Sequence, residues 1–324
     1  MSRKLLVILA LCLVGGIVAY RALGWDFNWS LFRSSLSSMK AGWLVASIVV
    51  TMVTYWIRAI RWQILLAPLK AIRVLPLFSI TLVGFSAIFL LGRAGEIARP
   101  VWLSRREKVA LSGSVAAIVV ERFLDFLMLV LSFVVALFLA EVSTTSTTVV
   151  FLKNAAWIIA ALSAGALIAL FVLRSNAAWI VRKIPFRRLV SGIESFLQGL
   201  SFLQDRRSLC LVLLQSAVLW ILIAVQFWFM LLGMNFSFSF AAATLVMVAA
   251  AIGSIAQIPG IGGGFQAAYI GCMTVLFNIP KEQAIASSLM LTVLNFAPTV
   301  VIALLLMLVQ GFSLRDLRTE SETV

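Results

Sequence analysis

The chain has 324 residues, of which 63% are hydrophobic and only 12% are charged. Soluble domains carry about twice that share of charge, so the composition predicts an all-α, polytopic membrane protein and excludes a soluble globular domain. The net charge of +14 favours attraction to anionic lipid headgroups over nucleic acid, because the sequence has no soluble basic domain to carry it. The lack of histidine argues against a metal site or a catalytic triad, and we expect no cofactor.

Six apolar runs are long enough to cross roughly 30 Å of membrane hydrocarbon, which takes about 20 helical residues. In chain order they cover residues 5–22, 42–66, 112–140, 155–173, 208–232 and 284–309. The first resembles a signal peptide but lacks its cleavage motif, so we expect it to remain as a span. Two further apolar regions, 74–92 and 238–277, are interrupted by glycine. The segment 176–205 is predicted to be an amphipathic helix on the cytoplasmic membrane surface.

The distribution of Lys and Arg tests how the two interrupted regions cross, because cationic short loops stay in the cytoplasm. If each region enters and leaves on one side, 19 loop cations are cytoplasmic and 5 are outside, and both termini are cytoplasmic. A complete crossing by 74–92 would largely remove this bias, so we predict a re-entrant segment there. The region 238–277 is either re-entrant from outside, as an inverted repeat requires, or a pair of short spans. We expect one membrane-embedded domain, residues 1–311, and a cytoplasmic tail, 312–324.

Three ionisable residues lie within the apolar stretch "VVERFLDFLML". A charge in hydrocarbon costs several kcal/mol unless it is paired or hydrated. Glu121 and Asp125 are four residues apart and share a helical face, and Arg122 can reach Asp125. We therefore expect Glu121 to pair with a nearby arginine. The set is either a structural ion-pair network or part of a binding site.

The stretch "LGRAGEIARP" places Arg93, Glu96 and Arg99 at steps of three residues. Their side chains are predicted to lie near one helical face and to form an anion-receptive patch at the headgroup layer. This net positive set is also expected to face the net negative set in "VVERFLDFLML". Arg58 and Arg61 recur in "YWIRAIRW". Their simplest interpretation is as interfacial anchors that reach headgroups, and a binding role for Arg58 is the alternative.

The stretch "QIPGIGGGFQ" has four glycines before an apolar helical run. Exposed backbone amides at a helix start favour anions, whereas glycines also permit close helix packing, and both interpretations stay open. The lysine and Ser/Thr of a nucleotide-binding P-loop are absent. We therefore do not predict a nucleotide site.

The motifs "GRAGEIARPVWL", "VVERFLDF" and "IPGIGGGFQAA", followed by a last span with Asn295 and Pro298, resemble the membrane domain of lysylphosphatidylglycerol synthases, a family also called flippase-like. The resemblance covers nearly the whole chain and points to Arg93, Gly95, Glu96, Arg99, Glu121, Arg122, Asp125, Pro259, Gly262 and Gly264. It implies lipid translocation without synthesis, because the soluble aminoacyl-transferring domain is missing. Gln266 stands where family members commonly carry an acid, which weighs against proton or cation coupling at that position.

We expect a flippase or lipid transporter, not an enzyme, whose polar cavity between the two interrupted regions shelters a headgroup. The predicted substrate-binding residues are Arg58, Arg93, Glu96, Arg99, Glu121, Arg122, Asp125, Pro259, Gly262, Gly264, Gln266 and Asn295. One alternative is an integral-membrane transferase with Glu96, Glu121 or Asp125 as general base. Another is an accessory subunit of an envelope or lipid-modifying enzyme. The expected location is the cell membrane, and the expected partners are anionic lipids, with a homo-oligomer or a partner enzyme left open.

Overall fold

The structure, a computed structural model, describes residues 27–140, 205–258 and 262–310, together with four single positions between 161 and 172. These ranges are helical apart from short connections and one minimal β-hairpin. The helices of the described ranges are α1 (Trp29–Ser37), α2 (Ala41–Leu66), α3 (Val74–Leu91), α4 (Ala98–Glu107), α5 (Leu111–Leu139), α6 (Arg206–Gly233), α7 (Phe240–Gly253), α8 (Gly264–Val275) and α9 (Lys281–Gln310).

Four of these helices, α2, α5, α6 and α9, are long and apolar enough to cross a membrane. They correspond to four of the six predicted spans. The other two predicted spans, 5–22 and 155–173, the tail 312–324 and nearly all of the segment 176–205 lie outside the described residues. The described part of the chain therefore supports four full spans and does not extend to six.

One side of the helix bundle, named here the Lys40 face, collects the start of α2, the end of α6 and the start of α9. The backbone N–H of Lys40 donates to the carbonyl of Gly233 at 2.8 Å. The backbone N–H of Asn28, before α1, donates to Oε1 of Glu282 at 3.2 Å. These bonds place α2 antiparallel to α6 and bring α9 in at the same face.

The opposite side, named here the Lys70 face, holds the end of α2 and the start of α6. Asp205 caps α6, because its carboxylate accepts the backbone N–H groups of Arg207 at 3.2 Å and Ser208 at 3.1 Å as well as the Ser208 hydroxyl. The hydroxyl bond is the largest influence, and together these bonds lower the pKa of Asp205 below its ordinary value. The cap satisfies two orphan donors of the first helical turn.

The first interrupted region forms a hairpin of α3, a 3₁₀ turn at Gly92–Ile97, and α4. Gly92 ends α3 with φ of 65°, a conformation that glycine adopts without steric cost. Lys70 Nζ, just before α3, donates to the carbonyl of Glu107 at the end of α4 at 2.6 Å. Both ends of this first hairpin, residues 74–107, therefore lie at the Lys70 face, in agreement with the predicted re-entrant segment.

The second interrupted region forms a hairpin of α7, a 3₁₀ turn at Ser254–Ala256, paired strands β1 (Gln257–Ile258) and β2 (Gly262–Gly263), and α8. The rings of Phe238 and Phe277, which flank it, lie 4.7 Å apart. At 14 and 12 residues, α7 and α8 reach only about 21 and 18 Å. Both ends of this second hairpin, residues 240–275, meet at the Lys40 face, which either predicted form would give. Because each helix is shorter than the roughly 30 Å of membrane hydrocarbon, the helix lengths favour the re-entrant form over two short spans.

The tips of the two hairpins contact each other, because β1 touches the 3₁₀ turn Gly92–Ile97. The hairpins enter from opposite faces, which is the geometry expected of an inverted repeat. Each hairpin packs into its own apolar core: Trp62, Leu65 and Trp102 belong to the first, and Met247 and Tyr269 to the second. Irregular backbone at membrane depth must be buried or line a cavity, so the meeting point of the tips is where a site is expected.

Candidate functional site

A cluster of six ionisable side chains lies inside the bundle beside the tip of the first hairpin. We name it the charge cluster: Arg58 and Arg61 of α2, Arg99 of α4, and Glu121, Arg122 and Asp125 of α5. Four guanidinium groups face two carboxylates, so the cluster carries two surplus positive charges. The predicted partnership between the arginines of one motif and the acids of the other is therefore present in the fold.

Glu121 is the centre of the cluster, and its side chain is completely buried. Arg99 donates from Nη1 to Oε1 at 3.1 Å and from Nη2 to Oε2 at 3.0 Å, which is the bidentate geometry of a planar guanidinium on a carboxylate. Arg122 donates to Oε1 at 3.2 Å, and Arg61 Nη2 approaches Oε1 to 3.4 Å. The prediction that Glu121 pairs with a nearby arginine is confirmed.

Asp125 joins the cluster to α2 and α6. Arg61 donates to Oδ1 at 2.8 Å, and the indole Nε1 of Trp220 donates to the same oxygen at 3.3 Å. Arg58 reaches Oδ2 at 3.4 Å. Arg61 also donates to the hydroxyl of Ser216 at 3.0 Å. These contacts tie three long helices together through one carboxylate.

The Phe85 ring of α3 lies among three arginines of the cluster. The guanidinium carbons of Arg58, Arg99 and Arg122 are 5.0, 5.3 and 5.9 Å from the ring centroid. Cations within about 6 Å of an aromatic face are attracted by its quadrupole. Tyr55 packs edge-on against the same ring, with centroids 5.4 Å apart. Phe85 therefore stabilises positive charge here without adding a carboxylate that would neutralise it.

Arg99 reaches Glu121 because Gly84 leaves room for its aliphatic stem. A Cβ added at Gly84 would lie 2.1 Å from Cγ of Arg99. The guanidinium carbon of Arg99 lies 4.5 Å from the centroid of the Trp62 ring. Gly95 allows a similar close approach, because a Cβ there would be 2.4 Å from the backbone carbonyl of Ala87. Both glycines thus hold the first hairpin tightly folded beside the charge cluster.

A cavity of about 250 Å³ lies between the charge cluster and the second hairpin. Its ionisable lining in the described part of the chain is Arg58, Glu96 and Arg122, with net charge of one positive unit. Arg122 has 38% of its side chain exposed, whereas Arg61 and Glu121 have none. The rest of the lining includes Thr51, Thr54, Tyr55, Phe85, Trp220, Gln226, Phe227, Ser254, Phe265, Gln266, Asn295 and Phe296. Two arginines therefore present their charge to the cavity from the rim of the cluster.

Neutral polar groups line the side of the cavity formed by α6, α8 and α9. Nε2 of Gln226 donates to Oδ1 of Asn295. Nε2 of Gln266 donates to the hydroxyl of Thr292 at 2.9 Å, and its Oε1 has no hydrogen-bond partner among the described residues. The cavity consequently has a cationic end and an amide-rich end.

The structure brings eight of the predicted site residues to the cluster or its cavity: Arg58, Glu96, Arg99, Glu121, Arg122, Asp125, Gln266 and Asn295. Gly264 begins α8 at the tip of the second hairpin, and Gly262 lies in β2. A Cβ at Gly264 would be 2.4 Å from the carbonyl oxygen of Gly253, so this glycine permits close packing of α7 on α8. Arg93 has its backbone in the 3₁₀ turn, but its side chain, like Pro259, lies outside the described residues.

Two expectations are wrong. Arg58 and Arg61 are not interfacial anchors, because Arg61 is fully buried and both contact Asp125 inside the bundle. Arg99 does not present its guanidinium to lipid headgroups, because its side chain is 2% exposed and its guanidinium is bound by Glu121. In both cases the pairing partner is on another helix, and a single-helix pattern does not reveal it.

The sequence reasoning missed three cavity residues of importance. Gln226 could have been suspected from the sequence, since it is one of two glutamines, with Gln215, in the apolar run 208–232, and a buried amide there is costly unless it finds a partner. There was less reason to expect Trp220 here: a buried indole N–H needs an acceptor, but the sequence does not show which tryptophans are buried. No sequence feature indicated Phe85, because nothing distinguishes it from the other 22 phenylalanines of the chain.

The comparison with protein families agrees with the motifs that meet in the bundle. Residues 7–303 match the family model described as "Lysylphosphatidylglycerol synthase TM region". The comparison with curated proteins gives no match. The match spans the described helices that form the charge cluster and the cavity, and it identifies a multi-pass membrane protein with a role related to membrane lipids. The chain belongs to the lysylphosphatidylglycerol synthase TM region family.

Proposed function

We propose that this protein is a flippase that moves the headgroup of an anionic phospholipid, or of a lipid-linked compound with a phosphate, between the leaflets of the membrane. The observation that carries the proposal is the cavity with one net positive charge where the tips of two oppositely directed hairpins meet. A polar cavity inside a bundle of apolar helices provides the solvation that a headgroup loses in hydrocarbon.

Arg58 and Arg122 are the groups best placed to bind the phosphate. Both line the cavity, and both also contact Asp125, at 3.4 Å and 3.6 Å. A guanidinium has five N–H donors, so a contact to one carboxylate leaves donors for a second oxyanion. Glu96 offsets only one of the two positive charges. The remaining charge favours an anionic headgroup over a neutral or cationic one.

The amide-rich end suits the hydroxyl groups that many phospholipid headgroups carry beyond the phosphate. Gln226 and Asn295 bond to each other, and Gln266 lines the same part of the cavity. An amide offers both donors and acceptors, so it can replace water around a polyol or similar neutral group. This end adds selectivity for headgroup shape without adding charge.

The contacts of the two buried carboxylates favour transport over a transferase reaction. Glu121 contacts Arg58, Arg61, Arg99 and Arg122, and Asp125 contacts three of these. A general base must accept a proton from its substrate. Because the oxygens of both carboxylates already accept from several guanidinium groups, neither is well placed to accept a proton from a substrate.

The experiment that tests this function is leaflet exchange of labelled lipids in vesicles that contain the purified protein. Arg58→Gln removes one phosphate ligand, and Arg73→Gln removes an arginine that is exposed at the start of α3 and serves as the matched control. We expect Arg58→Gln to slow exchange by about tenfold or more, because a hydrogen bond to a charged group contributes roughly 1.5–3 kcal/mol. Arg73→Gln is expected to exchange at the wild-type rate.

Both variants are compared at equal amounts of monodisperse protein, so that loss of folded material does not mimic loss of activity. Wild-type vesicles that exchange no labelled lipid faster than empty vesicles would refute the proposal. Equal rates for wild type and Arg58→Gln would remove the cavity arginines from the mechanism.

A further inference from the structure

A second cavity, of about 260 Å³, lies on the outer side of α5, α6 and α7 and is almost entirely apolar. Its wall on α5 extends from Met128 to Leu139, which is about 16 Å along the helix axis. We name this cavity the lateral groove. Half of a hydrocarbon layer of roughly 30 Å is about 15 Å, so the groove has the length of one leaflet.

The lateral groove lies in the half of the bundle nearer the Lys40 face. Leu139 ends α5 and Phe240 begins α7, and both line the groove. Phe240 lies two residues after Phe238, whose ring packs against Phe277 where the two ends of the second hairpin meet at the Lys40 face. The groove therefore runs from the Lys40 face toward the middle of the bundle, where the headgroup cavity lies.

The surface of the groove is that of a lipid-facing site. Leu131 and Leu139 are 54% and 68% exposed in the described structure. The hydroxyl of Thr244, one of the few polar groups in the lining, donates to the carbonyl of Phe240 at 2.8 Å and is therefore satisfied within its own helix. The groove offers an acyl chain many apolar contacts, and Ser132 and Thr244 carry the only hydroxyl groups among its described lining residues.

Trp220 joins the groove to the headgroup cavity, because it lines both. Its indole N–H donates to Asp125 in the charge cluster, and the apolar part of its ring is available to the groove. An amphiphile with a phosphate at Arg58 would thus find an apolar channel on the other side of one side chain. A polar cavity and an apolar groove on either side of one side chain match the division of a phospholipid into a polar head and an apolar tail.

We propose that the lateral groove is an acyl-chain subsite, which holds one hydrocarbon chain of the lipid whose headgroup occupies the central cavity. The subsite rests on the proposed function for the identity of that lipid, but its occupancy is measurable without any transport. The acyl-chain subsite implies that the substrate is a lipid with at least one long acyl chain. Trp220 then lies between the headgroup and the acyl chain of that lipid.

The test uses phosphatidylglycerol with a photoactivatable group on its acyl chain, present as a minor component of phosphatidylcholine vesicles that contain the full chain. After illumination, labelled positions are mapped by mass spectrometry. We expect the groove segments of α5 and α7 to be labelled about tenfold more than Val301 and Leu305 of α9, which are 56% and 57% exposed. An excess of unlabelled phosphatidylglycerol should suppress groove labelling and leave the α9 labelling unchanged.

A matched pair of substitutions on α6 separates the groove from general lipid contact. Ala217 lines the groove, and Ala217→Trp fills it, whereas Val218 is exposed beside it and is not part of its lining. Displacing two methylene groups of a bound chain should lower groove labelling by about tenfold in Ala217→Trp. Val218→Trp should label as the wild type does.

Groove labelling no higher than that of α9, or unchanged by Ala217→Trp, would overturn the subsite. The labelling test and the exchange test of the proposed function can fail independently of each other. Specific groove labelling in a protein that exchanges no lipid would support the subsite and reject the flippase. Exchange that Ala217→Trp leaves unchanged, with groove labelling at background, would reject the subsite and leave the flippase standing.

Discussion

Neutralising Glu121 should destabilise the protein far more than neutralising a surface glutamate. Glu121→Gln leaves Asp125 as the only carboxylate of the charge cluster, and Asp125 contacts only three of the four arginines. The lost carboxylate has contacts at 3.0, 3.1 and 3.2 Å. Breaking a buried ion pair from one side typically costs about 3–5 kcal/mol, because the other charge stays buried without compensation. We therefore expect a loss of that size in the free energy of unfolding.

The matched control is Glu107→Gln at the Lys70 face. Glu107 Oε2 lies 3.3 Å from Nζ of Lys70, and the lysine side chain is 45% exposed. Exposed pairs contribute about 0–1 kcal/mol, since water and salt screen the charges. The two substitutions are chemically identical, so their difference isolates the effect of burial.

The assay is thermal unfolding of both variants in the same detergent. At about 2 °C for each kcal/mol in a large domain, Glu121→Gln should lower the Tm by roughly 6 °C or more, and Glu107→Gln by at most about 2 °C. Transport by folded Glu121→Gln should also fall, because Arg58 and Arg122 lose a partner that positions them. Equal Tm values for the two variants would refute the view that this carboxylate holds the cluster together.

Three further predictions concern packing, topology and capping. Gly84→Ala should lower stability by about 1–3 kcal/mol through overpacking against the buried arginine stem, whereas Gly42→Ala, with no atom within 4 Å of the added Cβ, should be neutral or slightly stabilising in thermal unfolding. In a cysteine-free background, an impermeant thiol reagent added outside intact cells should label Ser37→Cys and not Ser104→Cys; labelling of Ser104→Cys would reverse the topology. Asp205→Ala should lower the Tm at neutral pH. The Tm difference between Asp205→Ala and wild type should shrink as pH falls through the lowered pKa of Asp205, because protonation removes the cap in the wild type as well. A Tm difference that is constant from neutral to acid pH would contradict this.

The sequence predicted those features of the fold that depend on local pattern. Long apolar runs determine the four described spans, since only a helix satisfies every backbone group across hydrocarbon. Gly92 and the stretch before Gly264 marked the two hairpin tips, and cationic loops predicted that the first hairpin returns to its own side. These signals are carried by composition and spacing within one segment.

The charge cluster was predictable only in part. The spacing of Glu121 and Asp125 placed both acids on one helical face, and the structure has both in contact with Arg61. The burial of Arg61 and Arg99 was not predictable, because it depends on how α2 and α4 pack against α5. Local rules treat an arginine near a tryptophan as an interfacial anchor, and only the tertiary partner changes that interpretation.

The central claim is that a cavity with net positive charge transfers an anionic headgroup across the membrane. The most direct measurement compares the leaflet exchange of labelled phosphatidylglycerol and labelled phosphatidylcholine in vesicles with and without the wild-type protein. We predict that the protein accelerates exchange of the anionic lipid by at least about tenfold over the zwitterionic one, as one added charged hydrogen bond would give. Exchange of both lipids at the rate of protein-free vesicles, or equal acceleration of the two, would contradict the claim.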